Sequence, residues 1–160
     1  MKNKIFIFDL DDTLYKEIDF LYSAYREIAG WIELKFSLKG IYAFMLETYK
    51  EQADVFSRLI DTYDLSLTKA DLLSIYRSHR PNIRLELDTL KALEVLKQDF
   101  ILGMITDGRS ITQRNKFQAL GLEQFIENEN LVISEEFGSE KPSERNFMFF
   151  QDKYADAEFV

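Results

Sequence analysis

Ile5-Phe6-Ile7-Phe8-Asp9-Leu10-Asp11-Asp12-Thr13-Leu14 opens with an unbroken run of apolar β-formers and then turns abruptly acidic. An apolar run without alternation fits a strand buried on both faces, as in a parallel sheet. The strand should end where the charge arrives. Successive residues of an extended chain point to opposite sides, so Asp9 and Asp11 send their carboxylates roughly to one side. Neighbouring carboxylates repel and want a cation. With oxygen ligands and no histidine nearby, Mg2+ is the natural one. Taken alone, the pair can equally be a solvated acidic turn.

Outward from this stretch, residues 16 to about 80 carry apolar side chains at helical spacing, as in Phe20, Ala24, Ile28 and Trp31. Gly40, the Asp61–Asp64 segment and Pro81-Asn82 mark breaks. Thr68-Lys69-Ala70-Asp71 resembles a capping box with Asp in place of the usual Glu. Three or four helices and no strand are expected here. After Pro81 the pattern changes to helix (Leu87 to Lys97), strand (Phe100 to Ile105), helix (Ser110 to Leu120, stopped at Gly121) and strand (Leu131 to Ile133). A loop through Gly138 then leads to Lys141-Pro142, where proline suits the first position of a helix running to about Tyr154. Phe159-Val160 begins a fourth strand. Strands alternating with helices imply an α/β fold with a parallel sheet and right-handed crossovers. The helical block interrupts that alternation as an insertion.

The 160 residues are about one domain's worth of chain. Their 46% apolar content argues against disorder. With 28 acidic and 20 basic residues the net charge is −8, which speaks against a broad nucleic-acid footprint. Cysteine is absent and His79 is the single histidine, so thiol chemistry and histidine-rich metal sites are excluded. No apolar run reaches the about 20 residues of a membrane span. The basic start, Met1 to Lys4, is followed by too short an apolar run for a signal peptide. A cytoplasmic protein with no membrane partner is expected.

Two further places qualify for chemistry, because ligands of open parallel sheets bind beyond the carboxyl ends of the strands. Thr106-Asp107-Gly108 offers a hydroxyl and turn N–H groups to an anion. Lys141 stands before a helix start, which itself favours anions. Each is weak alone, since a turn is usually a turn and a lysine usually lies on the surface.

Their order, an acid pair, a hydroxyl and a lysine, resembles the haloacid dehalogenase-like superfamily. The first motif of that family, Asp-x-Asp-x-Thr, corresponds to Asp9, Asp11 and Thr13; the second to Thr106; the third to Lys141-Pro142. Gln113, Lys116, Leu120-Gly121-Leu122, Ile133-Ser134-Glu135 and Gly138 extend the likeness. The resemblance implies a three-layer Rossmann-like core, residues 1–14 and 88–160, with an all-helical cap, 15–87, inserted between the first two motifs. It implies a Mg2+-dependent phosphohydrolase for a small phosphorylated metabolite. Asp9 would be the nucleophile that forms an aspartyl-phosphate, and Asp11 the general acid and base. Thr106, Asp107 and Lys141 would bind the phosphate. Asp9 and the Asp11 main-chain carbonyl would hold Mg2+. An acid at position 11 favours phosphoryl over halide displacement, since halide leaves without a proton. Tyr15, Lys16 and Glu17 would lie at the hinge between core and cap. Asp12 is left as a turn-former or solvated acid. A receiver-type signalling domain fits poorly, because its phosphorylated Asp ends a later strand.

One departure stands out. The family's fourth motif, an acidic pair after the fourth core strand, has no counterpart within the 160 residues. The expectation is a core incomplete at the C-terminus, weakened metal binding and low turnover, with self-association through an exposed edge at Ile5–Phe8. The alternative is a non-catalytic chain that acts only in binding or assembly.

Overall fold

A computed structural model describes residues 4–160; Met1 to Asn3, part of the basic start, lie outside the described residues. Strands β1 (Lys4–Phe8), β2 (Ile101–Thr106), β3 (Leu131–Ile133) and β4 (Glu158–Phe159) make one parallel sheet in the order β3-β2-β1-β4. Four helices follow β1: α1 (Glu17–Phe36), α2 (Ile41–Lys50), α3 (Val55–Thr62) and α4 (Lys69–Ser78). Then α5 (Leu87–Asp99) leads into β2, α6 (Ser110–Ala119) connects β2 towards β3, and α7 (Ser134–Phe137) and α8 (Glu144–Lys153) lead to β4. Among the described residues, no helix is long and apolar enough to cross a membrane.

Side-chain alternation sorts the strand residues between two layers. Phe6, Phe8, Leu102 and Met104 pack on the side of Leu93 (α5) and Phe117 (α6). Ile5, Ile7, Ile105 and Val132 pack on the opposite side with Phe150 (α8). Gly103 lets that second layer close. A Cβ built on it would meet Phe150 Cε1 at 2.7 Å, so the fully buried ring lies directly on the strand backbone. The helices α1 to α4 bury a cluster of their own around Ile28, Ile32, Ile41, Met45, Leu59 and Leu72. Their ends are set by local chemistry. Gly40 takes a left-handed φ of 78° before α2, Asp54 accepts from the Ser57 N–H at the start of α3, and Thr68 and Asp71 form a reciprocal capping box on α4.

The elements differ from the sequence expectation in four places. The break between α2 and α3 carries no glycine or proline; Gln52 turns the chain with a positive φ of 56°. The segment after β3 is a short helix, α7, closed by Gly138 in the left-handed region, and not a loop. Pro142 is not the first residue of α8. Ser143 caps that helix and Glu144 begins it, because residues 140–143 form a turn of their own, closed by the Ser143 N–H on the Glu140 carbonyl. The fourth strand pairs Glu158 with Lys4 and Phe159 with Ile5, and Val160 N–H donates to the Ile5 carbonyl. The side of β1 without a strand partner therefore begins at Phe6 among the described residues.

His79 ties α1 to the chain returning from α4. Its Nδ1 lies 2.8 Å from the Tyr76 carbonyl, which can only accept, so Nδ1 carries the proton. Its Nε2 lies 3.2 Å from Ser23 Oγ, which in turn accepts from the Asn82 N–H at 2.8 Å. Neutral imidazole satisfies this arrangement, and burial lowers the His79 pKa from its ordinary value. A depressed folded-state value means the unfolded chain binds the proton more readily. The stability that His79 contributes is thus complete above about pH 6.5 and is lost as pH falls through the folded-state value. With a single histidine, the imidazole proton resonances give that value directly. A titration midpoint below the free-histidine value is expected; a midpoint at or above it would contradict this arrangement.

Candidate active site

The carboxyl ends of β1, β2 and β3 converge, and the acids, the hydroxyl and the lysine meet there. Asp9 follows the last residue of β1, one place beyond the Phe8–Met104 pair. The chain then folds back, with Thr13 and Leu14 donating their N–H groups to the Leu10 carbonyl. Leu10 and Leu14 are buried and anchor this turn, which leaves the Asp9 and Asp11 side chains at its mouth. Lys141 reaches across from the loop before α8, and its Nζ donates to Asp9 Oδ1 at 2.6 Å.

That loop is pinned from β2. The Asp107 carboxylate accepts the Lys141 N–H with both oxygens, at 3.1 and 3.3 Å. Gly108 N–H donates to Ser134 Oγ at 3.0 Å, which joins the ends of β2 and β3. The Asp107 side chain is therefore occupied in placing Lys141, and the Gly108 N–H is already engaged. Of the sequence-predicted anion groups in this turn, Thr106 Oγ1 is buried against Gln113.

Asp11 is held more tightly than Asp9. Its Oδ1 accepts from the Tyr15 hydroxyl at 2.6 Å and from Lys116 Nζ at 2.7 Å, and its Oδ2 accepts from Gln113 Nε2 at 3.0 Å. The same Gln113 amide lies 2.5 Å from Thr106 Oγ1 and 3.0 Å from the Asp107 carbonyl. An amide has two hydrogens for these three acceptors, so Gln113 is shared between the acid and the β2 terminus. Burial, reinforced by the hydrogen bond to Asp11, pushes the Tyr15 hydroxyl well above the ordinary phenol range. Tyr15 thus remains a donor at any physiological pH. Burial and then the Asp11 charge also raise the Glu17 carboxyl from its ordinary value.

Asp9 and Lys141, named from the sequence, are in direct contact, and so are Asp107 and Lys141. Thr106 meets Asp11 only through Gln113. Sequence reasoning assigned no role to Gln113 and Lys116. The signal was nevertheless present: residues 113, 116, 117 and 120 share the inward face of α6, and two of these four are polar. Polar side chains on a buried helix face need partners. Helix α6 also grips the end of α4, where Thr112 Oγ1 donates to the Arg77 carbonyl and Asn115 Nδ2 to those of Ser78 and His79.

Among the side chains, the donor available to a cation here is a hard-oxygen one, the Asp9 carboxylate, of which Lys141 uses one oxygen. Both oxygens of the Asp11 carboxylate are taken by protein donors. Among the described residues, no group of three metal-binding side chains exists. The set fits a cation that keeps waters and binds substrate oxygens, as Mg2+ does, and does not fit a closed protein cage. A groove of about 660 Å³ lined in part by Phe100, Leu102 and Asn130 opens at the amino ends of the strands. Charge places the site at the opposite end, where ligands of open α/β sheets bind.

A sequence model of the haloacid dehalogenase-like hydrolase family matches residues 6–154. Two relatives are each described as a glyceraldehyde 3-phosphate phosphatase. The Methanocaldococcus jannaschii protein is 29% identical, covering 85% of this chain, and the Methanopyrus kandleri protein is 28% identical, covering 91%. The chain spans 64% and 67% of their respective lengths. The HAD-hydrolase YfnB of Bacillus subtilis, solved bound to magnesium, shares the fold with a TM-score of 0.62 at 19% identity, over 96% of this chain and 73% of that one.

Asp12, the third acid of the loop, does not join the cluster. Its Oδ1 accepts from the Glu17 N–H at 2.9 Å and so caps α1 from outside, where Lys16 offers no side-chain cap. Asp12 itself adopts a positive φ of 54°, which aspartate tolerates better than most residues. Asp12→Ala loses the cap and meets the backbone strain, and denaturant unfolding should show a loss of about 1–2 kcal/mol. Asp12→Asn should lose much less. Equal losses in the two variants would contradict this capping role.

Proposed function

Because this chain belongs to the haloacid dehalogenase-like hydrolase family, we propose that it is a Mg2+-dependent phosphohydrolase of a small phosphorylated metabolite, working through an aspartyl-phosphate. The observation that carries the reading is the 2.6 Å contact between Lys141 Nζ and Asp9 Oδ1. It joins a carboxylate at one strand end to a cation suited to phosphate oxygens, at the place where the second acid is also held.

In this reading Asp9 attacks phosphorus and the bond to the leaving oxygen breaks. Asp11 enters this step protonated on Oδ2, where the two Gln113 hydrogens can turn to Thr106 and the Asp107 carbonyl; it gives that proton to the leaving oxygen, and as a carboxylate then takes one from the water that cleaves the acyl phosphate. Lys141 orients Asp9 and neutralises phosphoryl charge. Thr106, through its hydroxyl, and Asp107, through its hold on Lys141, build the phosphate end of the site. Mg2+, held by the Asp9 carboxylate and the Asp11 main-chain carbonyl, supplies positive charge against the phosphoryl oxygens when bound. Residues 15–87 act as a cap over the core formed by 1–14 and 88–160, and the cap sets substrate choice. The two glyceraldehyde 3-phosphate phosphatases among the relatives support a small phosphorylated aldehyde as the first substrate to try.

Hydrolysis of a chromogenic aryl phosphate tests the reading, with and without Mg2+. Turnover should require Mg2+ and fall to background in Asp9→Asn. Turnover that survives Asp9→Asn, or that is indifferent to Mg2+, would contradict it.

A further inference from the structure

Only 3% of the surface of Lys116 is exposed, and an ammonium is a costly group to bury. Its charge is met on one side by Asp11 Oδ1 and on another by the ring of Phe20, 4.6 Å from Nζ to centroid. A buried ion pair can often be replaced by apolar side chains without loss. Asp11, whose side chain remains 21% exposed, keeps Tyr15 and Gln113 as donors. What the ammonium adds is geometric. Oδ1 receives one donor from the linker into α1 and one from α6, while Oδ2 receives a third, so the plane of the carboxylate is fixed. The ring beneath the ammonium belongs to α1, so the seating of α1 and the orientation of Asp11 share one contact.

We propose that Lys116, seated on Phe20, is a positioning residue that grips Oδ1 of the Asp11 carboxyl, holds its Oδ2 in register for proton transfer to the leaving oxygen and ties that register to helix α1. The role in proton transfer rests on the phosphohydrolase reading above. Lys116 touches no reacting atom in this account; it acts through Asp11.

Leaving groups separate positioning from folding. An alkyl phosphate needs a proton delivered to its alkoxide, whereas a nitrophenyl phosphate needs little help. Lys116→Met keeps the apolar stem. It should lower kcat on the alkyl ester by about 10- to 100-fold, in line with the effect of a small misplacement. The fall on the aryl ester should be several-fold smaller, with little change in either KM. Phe20→Leu should shift the ratio of the two rates in the same direction by less. Equal falls on both esters, or none, would overturn the proposal. A second readout is independent of turnover. The 1H–15N signal of the Lys116 ammonium should be protected in the unaltered chain and in Asp9→Asn, and lost in Asp11→Asn. If Lys116→Met does not fold, Phe20→Leu and this signal decide. If the unaltered chain hydrolyses neither ester, the phosphohydrolase reading fails, and an ammonium signal indifferent to Asp11→Asn would overturn the positioning contact as well.

Discussion

Two carboxylates leaving the end of one buried strand repel each other and the phosphate they are proposed to meet, and most of the architecture around them answers that repulsion. Asp9 is paired with Lys141, 132 residues further on, and Asp11 with Lys116, 105 residues further on. Neither pairing is possible in an extended chain. Both require β1 to lie beside β2, α6 to pack back across the sheet, and the loop before α8 to be drawn to the same end. The pins that achieve this are modest: Asp107 on the Lys141 N–H and Ser134 on the Gly108 N–H. Each satisfies a polar group that burial would otherwise leave costly.

The strands were legible because both faces of a parallel sheet are buried, so that Ile5–Phe8 and Leu131–Ile133 read as plain apolar runs. The helical character of α1 to α4 was legible from spacing and from the Thr68–Asp71 box, as three or four helices. The break at Gln52 was not, since a left-handed backbone at a glutamine leaves no compositional mark. Lys141 was legible as a candidate, but its mode of placement was not. The hold of Asp107 on the backbone at 141 is a contact across 34 residues that no local pattern encodes.

The Asp11 cluster shows the same limit from another side. Gln113 and Lys116 extended the family likeness in the sequence but carried no role there. Folding turns their face of α6 inward, where a polar side chain has to find partners or destabilise the core, and here the partners are Thr106 and Asp11. Tyr15, expected at the junction of core and cap, is also a hydroxyl donor to the same carboxylate. Asp12 separates from its two neighbours for the opposite reason: a positive φ turns it away from them and towards the start of α1. Three acids within four residues therefore take three roles, each decided by the distant group or local backbone that meets it.

Where the phosphoryl group goes when the protein meets a phosphate ester tests the role of the Asp9–Lys141 pair most directly. Rapid acid quenching during turnover, followed by peptide mass mapping, locates that group. A phosphoryl adduct on the peptide that carries Asp9, formed within one turnover and discharged on standing, is the predicted result. Product release with no adduct, or an adduct on any other residue, would contradict the central role given to the Asp9–Lys141 pair.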